Sequence, residues 1–201
     1  MIAALPMYDR PDLTGATDRY WALIRDGLRA GGIDAPETLR RGDADLMPQW
    51  MSPDLVLSQT CGFPYRARLH GKVQLVGTPD FGVEGCPPGH YRSVLIARTD
   101  DPRGDLAAFD GVAIAYNDAL SQSGWAAPQN HAAALGLRFP AGIATGSHAA
   151  SLAAVAEGRA DWLCMGGLLF GRKGLGGLCG LHDDRFAGLG FGGLGQKPCH
   201  P

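Results

Sequence analysis

No stretch of this chain is both long and apolar. A membrane-spanning helix needs roughly 18 consecutive apolar residues. The sequence has no such run, so the chain is not expected to span a membrane as a helix. A surplus of basic charge is also missing: 18 Lys and Arg stand against 20 Asp and Glu, a net charge of -2. Nucleic-acid binders carry a positive footprint, and no nucleic-acid partner is expected here. Small anions are not excluded by this balance, because hydroxyls and backbone N–H groups hold them without a cation. Cysteines are few and odd in number, Cys61, Cys86, Cys164, Cys179 and Cys199, which argues against a disulfide framework. A single Cys61–Cys86 bridge stays open, for geometry to decide. Paired carboxylates for acid–base work are absent too: Asp118, Glu157 and Asp161 are scattered and read as turn or surface residues. Met1 to Met7 is apolar, but no basic residue precedes it and Asp9 ends it. No export signal is therefore expected in it, and the chain as written reads as cytoplasmic.

What is present is an alternation of short apolar strands with helices. Residues 2–6 and 53–58 read as buried strands, as do 73–76, 91–98 and 112–116. A helix capped by Thr17 carries Tyr20, Leu23, Ile24 and Leu28 on one face and ends at Gly31-Gly32. Residues 61–69 suggest a short helix, 106–109 a helical turn, and 125–135 and 147–157 two further helices, with 143–145 a short strand or loop between them. Alternation of this kind predicts an α/β fold, with a ligand site at the carboxyl ends of strands, near helix starts. The loop 78–89, rich in Gly and Pro, is the candidate crossover between two lobes. The predicted division is 1–85 for a first α/β lobe, 86–163 for a second and 164–201 for a Gly-rich tail.

That tail has neither helical nor strand periodicity in Gly166-Gly-Leu-Leu-Phe-Gly-Arg-Lys-Gly-Leu-Gly-Gly177. So much Gly makes ordering costly. Three readings stand: a low-complexity tail, a metal segment using Cys164, Cys179, His182, Cys199 and His200, or a frameshifted continuation. Only Cys179/His182 has zinc-like spacing, so no metal is expected.

Three polar strand ends carry the candidate chemistry. Ser121-Gln-Ser-Gly124 lies between a strand and a helix, where hydroxyls and first-turn N–H groups make an anion site; a plain helix cap is the competing reading. Thr145-Gly-Ser-His148 repeats the arrangement, with His148 in the first turn of the next helix. Ser58-Gln-Thr-Cys-Gly62 is the third. Tyr65 and Tyr91 are candidate phenol donors. Ser123 lacks the Gly-x-Ser-x-Gly setting of a nucleophile, and nothing in the sequence pairs Cys61 with His148.

Tyr91-Arg-Ser-Val, Tyr116-Asn-Asp-Ala-Leu-Ser-Gln-Ser-Gly124 and Thr145-Gly-Ser-His148, in that order, resemble the phosphate/phosphite/phosphonate-binding family of transporter solute-binding proteins. Leu5-Pro-Met-Tyr8 and Ser58-Gln-Thr-Cys-Gly62 look like one subgroup of it. The resemblance covers about residues 2 to 163. It implies a type II periplasmic-binding-protein-like fold of two α/β lobes around a central cleft. It implies that Ser121, Gln122 and Ser123 hold a phosphonate-like head group, that His148 and Tyr91 donate to it, and that Tyr65 closes over it, with Thr60 and Ser147 as further contributors. Charge-assisted hydrogen bonds are the strong kind, so converging donors suffice without Lys or Arg. Family members work in the periplasm behind a signal peptide. They also continue past the region of Asp161 with a return to the first lobe, where this chain turns Gly-rich.

The expectation is therefore a monomeric solute-binding protein for a small tetrahedral oxyanion, feeding an ABC transporter permease, with no cofactor and no turnover. A sensor-like or non-transport remnant and an enzyme on the same fold are the alternatives.

Overall fold

The computed structural model describes residues 1–83 and 86–167, together with a backbone strand at 178–181. Two compact units emerge: Met1–Cys61 with Tyr65–Leu75, and Gly62–Pro64 with the chain from Val76 onward. The division thus falls after Leu75, ahead of the loop 78–89.

In the first unit, β1 (Ile2–Ala4) and β2 (Leu55–Ser58) pair in parallel, Ile2 opposite Leu55 and Ala4 opposite Ser58. Helix α1 (Thr14–Ala30) packs Trp21, Ile24 and Leu28 against Ala3, Leu5 and Leu57. The sequence pattern placed Tyr20 and Leu23 on that inner face, but they are 50% and 75% exposed. The helix is rolled toward Trp21 because an indole brings the largest apolar surface to be buried. Thr17 does not cap it either. The helix begins three residues earlier, and the Thr17 hydroxyl donates back to the Leu13 carbonyl at 3.2 Å. At the other end Gly32, with φ 78°, turns the chain so that the Ile33 N–H reaches the Leu28 carbonyl at 2.9 Å. Helix α2 (Met47–Trp50) anchors the end of β2: the Trp50 indole N–H donates to the Gln59 carbonyl at 3.1 Å. The expected helix after Cys61 is a single turn, α3 (Gly62–Pro64), followed by a π-helical turn over Tyr65–Leu69. Residues 73–76 form no strand. They find no pairing partner among the described residues, and a lone extended segment has no ladder to hold it.

The second unit is built on a mixed sheet in the order β5-β4-β6-β3-β7. Its strands are β3 (Ser93–Arg98), β4 (Ile114–Tyr116), β5 (Ala141–Ala144), β6 (Trp162–Gly166) and β7 (Leu178–Leu181). β4 runs parallel to both β5 and β6, and β3 runs antiparallel to β6 and β7. Side chains alternate between faces with period two. Leu95, Ala97, Ile114, Trp162 and Cys164 enter one core with Phe109, Phe139 and Ala132. Ile96, Ala115, Leu163 and Met165 enter another with Val155. Helix α4 (Ala127–Leu135), which supplies Ala132, and helix α5 (His148–Ala156), which supplies Val155, therefore cover opposite faces. Burial on both faces explains why β3 and β6 read as nearly continuous apolar runs.

The expected boundary at residue 164 is crossed by the sheet. β6 runs on through Gly166, and β7 pairs with β3, Leu95 opposite Leu181 and Arg98 opposite Leu178. A sheet edge offers free backbone N–H and C=O groups, so a strand can join it on backbone bonds without any side-chain pattern to announce it. The glycines here also have steric work. A Cβ on Gly166 would come within 3.1 Å of the Tyr91 ring, and one on Gly167 within 3.0 Å of the Arg92 carbonyl oxygen. His182, Cys199 and His200 of the metal reading lie outside the described residues.

Candidate functional site

The adjacent parallel strands β4 and β5 end side by side and lead into α4 and α5 on opposite faces of the sheet. This is the arrangement in which open α/β sheets hold ligands beyond their strand ends. After β4 the chain turns on Asp118, whose carboxylate accepts the Leu120 N–H at 2.6 Å and whose carbonyl accepts the Ser121 N–H at 3.0 Å. Ser121, extended at φ -66° and ψ 128°, caps a π-helical turn (Gln122–Ala126) that runs into α4, and its Oγ accepts the Gly124 N–H at 3.0 Å. After β5 the same device recurs, with Ser147 Oγ accepting the Ala150 N–H at 3.1 Å. Both serines are helix caps. Capping uses a hydroxyl as acceptor and leaves its own proton to donate, so the cap and anion readings are compatible.

The two strand-end loops are tied together. Thr145 N–H donates to the Tyr116 carbonyl at 2.9 Å, and Gly146 N–H to the Asn117 carbonyl at 3.0 Å. The Thr145 hydroxyl lies within hydrogen-bond distance of the Tyr116 and Ser147 carbonyls and, at 2.7 Å, of the Ser151 hydroxyl. This lacing brings Ser123 Oγ to 3.1 Å from His148 Nε2. Tyr91, buried, lies against Gly166, and Ser123 Oγ approaches the same glycine to within 3.8 Å of its Cβ position. Ser123 and His148 thus form a pair, and the Tyr91 ring and Ser123 both border Gly166. The Gln122 side chain is fully enclosed. Thr60 and Tyr65 belong to the first unit. There the Thr60 hydroxyl donates to the Cys61 carbonyl at 3.3 Å, and the Tyr65 ring meets His70 edge-on at 5.9 Å.

Burial holds His148 in its neutral form, pushing its pKa down to about 4. Its Nδ1 is enclosed and meets no hydrogen-bond partner among the described residues. The imidazole therefore serves as a neutral hydrogen-bonding group. The sign of the linked pH effect follows. Between the ordinary histidine pKa of about 6.5 and about 4, the unfolded chain binds more protons than the folded one. Stability contributed by neutral His148 is fully present above that window and is lost as pH falls through it. Thermal midpoints measured across this range should fall more steeply with acid for the wild type than for His148→Gln. Parallel curves would count against a buried neutral imidazole.

Asn117 escapes a sequence reading, although it directly follows a strand. Its carbonyl receives Gly146, and its Oδ1 is enclosed against Gly124, without a hydrogen-bond partner among the described residues. Two other places do not compete as anion sites. A groove of about 380 Å³ in the first unit is lined by Arg40 and Arg41, but Arg41 is engaged by Asp9 and Asp18, and Arg40 by Asp43. Beside Cys61, the Tyr8 phenol is held well above its usual pKa by burial and by that thiol, and it stays protonated. Cys61 and Cys86 are both reduced, so the open bridge between them is not made, and the Cys61 thiol donates to Met7 Sδ at 3.3 Å. Among the described residues no group of three or more His, Cys, Asp or Glu side chains is placed to hold a metal, and no helix is long and apolar enough to cross a membrane.

A sheet whose adjacent parallel strands deliver two capped helix starts, joined by a hydroxyl–imidazole pair, has the α/β strand-end arrangement on which small-molecule sites are built. Residues 57–169 match the family described as ABC transporter, phosphonate, periplasmic substrate-binding protein, and the chain belongs to that family. A comparison with curated proteins gives no match. Among solved structures, XAC2383 from Xanthomonas citri bound to chloride ion aligns with a TM-score of 0.63 at 17% identity, over 90% of this chain and 72% of that one. The same protein bound to ATP gives 0.62 at 17% identity, over 90% and 71%. MatC (Rpa3494) from Rhodopseudomonas palustris with bound malate aligns at 22% identity over 46% of this chain and 34% of that one, with a TM-score of 0.37. At these identities the first two show a shared fold.

Proposed function

We propose that the chain binds a small tetrahedral oxyanion of the phosphonate or phosphate type and presents it to an ABC transporter permease. The observation that carries this reading is the Ser123–His148 hydrogen bond, 3.1 Å long, at the start of the helix that Ser121 caps. Hydroxyl protons of Ser121 and Ser123 and first-turn N–H groups supply donors, and the Asp118 carboxylate of the same turn is engaged by the Leu120 N–H. An anion accepting them gains charge-assisted bonds, reinforced by the positive end of the helix.

The reading is binding without turnover. A serine–histidine pair becomes a nucleophile and base when a third group orients the imidazole through its other nitrogen. Here His148 Nδ1 has no such partner among the described residues, and a pKa of about 4 makes the ring a weak base.

Calorimetric titration with methylphosphonate, phosphite, phosphate and sulfate tests the proposal. At least one should bind. Ser123→Ala should weaken it by about tenfold to a hundredfold, the equivalent of one hydrogen bond of about 1.5–3 kcal/mol to a charged group. No heat with any of these anions, or hydrolysis of a phosphonate ester by the wild type, overturns it.

A further inference from the structure

Helix α1 carries a second apolar face that the first unit does not use. Leu13, at the helix cap, Ala16, Tyr20, Leu23, Gly27 and Ala30 follow one another at alternating spacings of three and four residues, and all six are exposed. This is the spacing of a helix-pairing seam. It lies roughly a quarter turn around the helix from the buried Trp21–Ile24–Leu28 face. No charged residue interrupts it. Leu23 and Tyr20, the two largest side chains on it, leave much of their apolar surface in water, 75% and 50% exposed.

We propose that this face is a homodimer interface, in which α1 of one copy packs antiparallel against α1 of a second copy across a two-fold axis. Self-pairing in that direction sets Leu13 over Ala30, Ala16 over Gly27 and Tyr20 over Leu23. The bulky end of each seam then meets the small end of the other, and knobs fill gaps. Parallel self-pairing sets Leu13 on Leu13 and Gly27 on Gly27, which crowds one end and leaves the other empty. Charge selects the same register. Arg19 and Asp26, both exposed, border the seam on its solvent side. In the antiparallel pair Arg19 of each copy faces Asp26 of the other, whose exposed carboxylate would be shared with its own Arg25 at 2.9 Å, so the complementary contact is made twice. An isologous contact of this kind closes on itself and does not propagate. The same alternation of Arg19 and Asp26 argues against an anionic lipid surface, which calls for a border of one positive sign.

Sedimentation velocity over a dilution series of the full chain, with no oxyanion present, tests this independently of the ligand. Wild type should move from dimer to monomer on dilution. Leu23→Glu should raise the dissociation constant at least about tenfold, since a carboxylate would be trapped in the seam. Arg19→Asp should weaken the dimer, and adding Asp26→Arg to it should restore the dimer by reversing both contacts. All three changes are on the surface, and far-UV circular dichroism should be unchanged. A wild type that stays monomeric at every concentration, a dimer indifferent to Leu23→Glu, or a double reversal that fails to rescue overturns the proposal.

Discussion

Trp162→Ala is expected to unfold the second unit or bring it to the edge of unfolding. Trp162 is fully buried at the start of β6, opposite Ala97 on β3 and Ile114 on β4. Its ring meets Phe139 edge-on at 4.5 Å and Phe109 at 5.5 Å, and its indole N–H reaches the Val112 carbonyl at 3.4 Å. Truncation would remove the hub of the core under α4 and leave a cavity walled by aromatic rings, which cannot collapse without moving two strands. Such losses cost about 3–5 kcal/mol, against a total stability of about 5–15 kcal/mol for a domain. Urea unfolding of the variant should show a midpoint far below that of the wild type. Val76→Ala, at a position 80% exposed, should stay within about 0.5 kcal/mol of it. Equal stability of the two variants would mean that the core does not depend on Trp162.

If the chain binds an oxyanion as proposed, Gly124→Ala should abolish that binding while leaving most of the fold in place. The added Cβ would sit 2.0 Å from Asn117 Oδ1 and 3.1 Å from Ser121 Oγ. Asn117 Oδ1 is enclosed, so turning it away from the new Cβ displaces the atoms packed around it. Something in the cap must therefore move, at about 1–3 kcal/mol for overpacking of this kind. The movement displaces Ser123 from His148. The ligand-induced rise in thermal midpoint should disappear in the variant and return in part when Asn117→Ala is added to make room. Gly77→Ala, where a Cβ meets nothing within 4 Å, is the control. Retained binding in Gly124→Ala would show that the Asn117–Gly124 contact does not set the geometry of the site.

The legible part of the site was the part written in consecutive residues. A polar turn between an apolar strand and a helix is a local signal, and Ser121 and Ser147 both occupy the cap positions such turns require. Whether two such turns meet is not local. Their meeting depends on β4 and β5 lying side by side, and on Thr145 and Gly146 bonding back to Tyr116 and Asn117. Asn117 stands in the Tyr116–Gly124 motif but has no role in the sequence reading, because its contact with Gly124 exists only once the loop is closed. The first unit shows the same limit. A period near 3.6 identified α1, but the roll of the helix was settled by Trp21, whose burial leaves Tyr20 and Leu23 facing outward.

The Gly-rich end marks the boundary most sharply. Its composition predicts no element, since Gly has no side chain to pack and much freedom to lose. β6 nevertheless continues to Gly166, and Leu178–Leu181 pairs with β3, because an open strand edge recruits backbone irrespective of side chains.

The sequence by itself determined the α/β class and the two capped helix starts at Ser121 and Ser147, because caps, turns and apolar runs act over a few residues. Tertiary structure alone decided that Ser123 meets His148, which face of α1 is buried, and that a strand from the Gly-rich end joins the sheet. Those depend on strand order and backbone pairing between residues far apart in the chain, which no local pattern encodes.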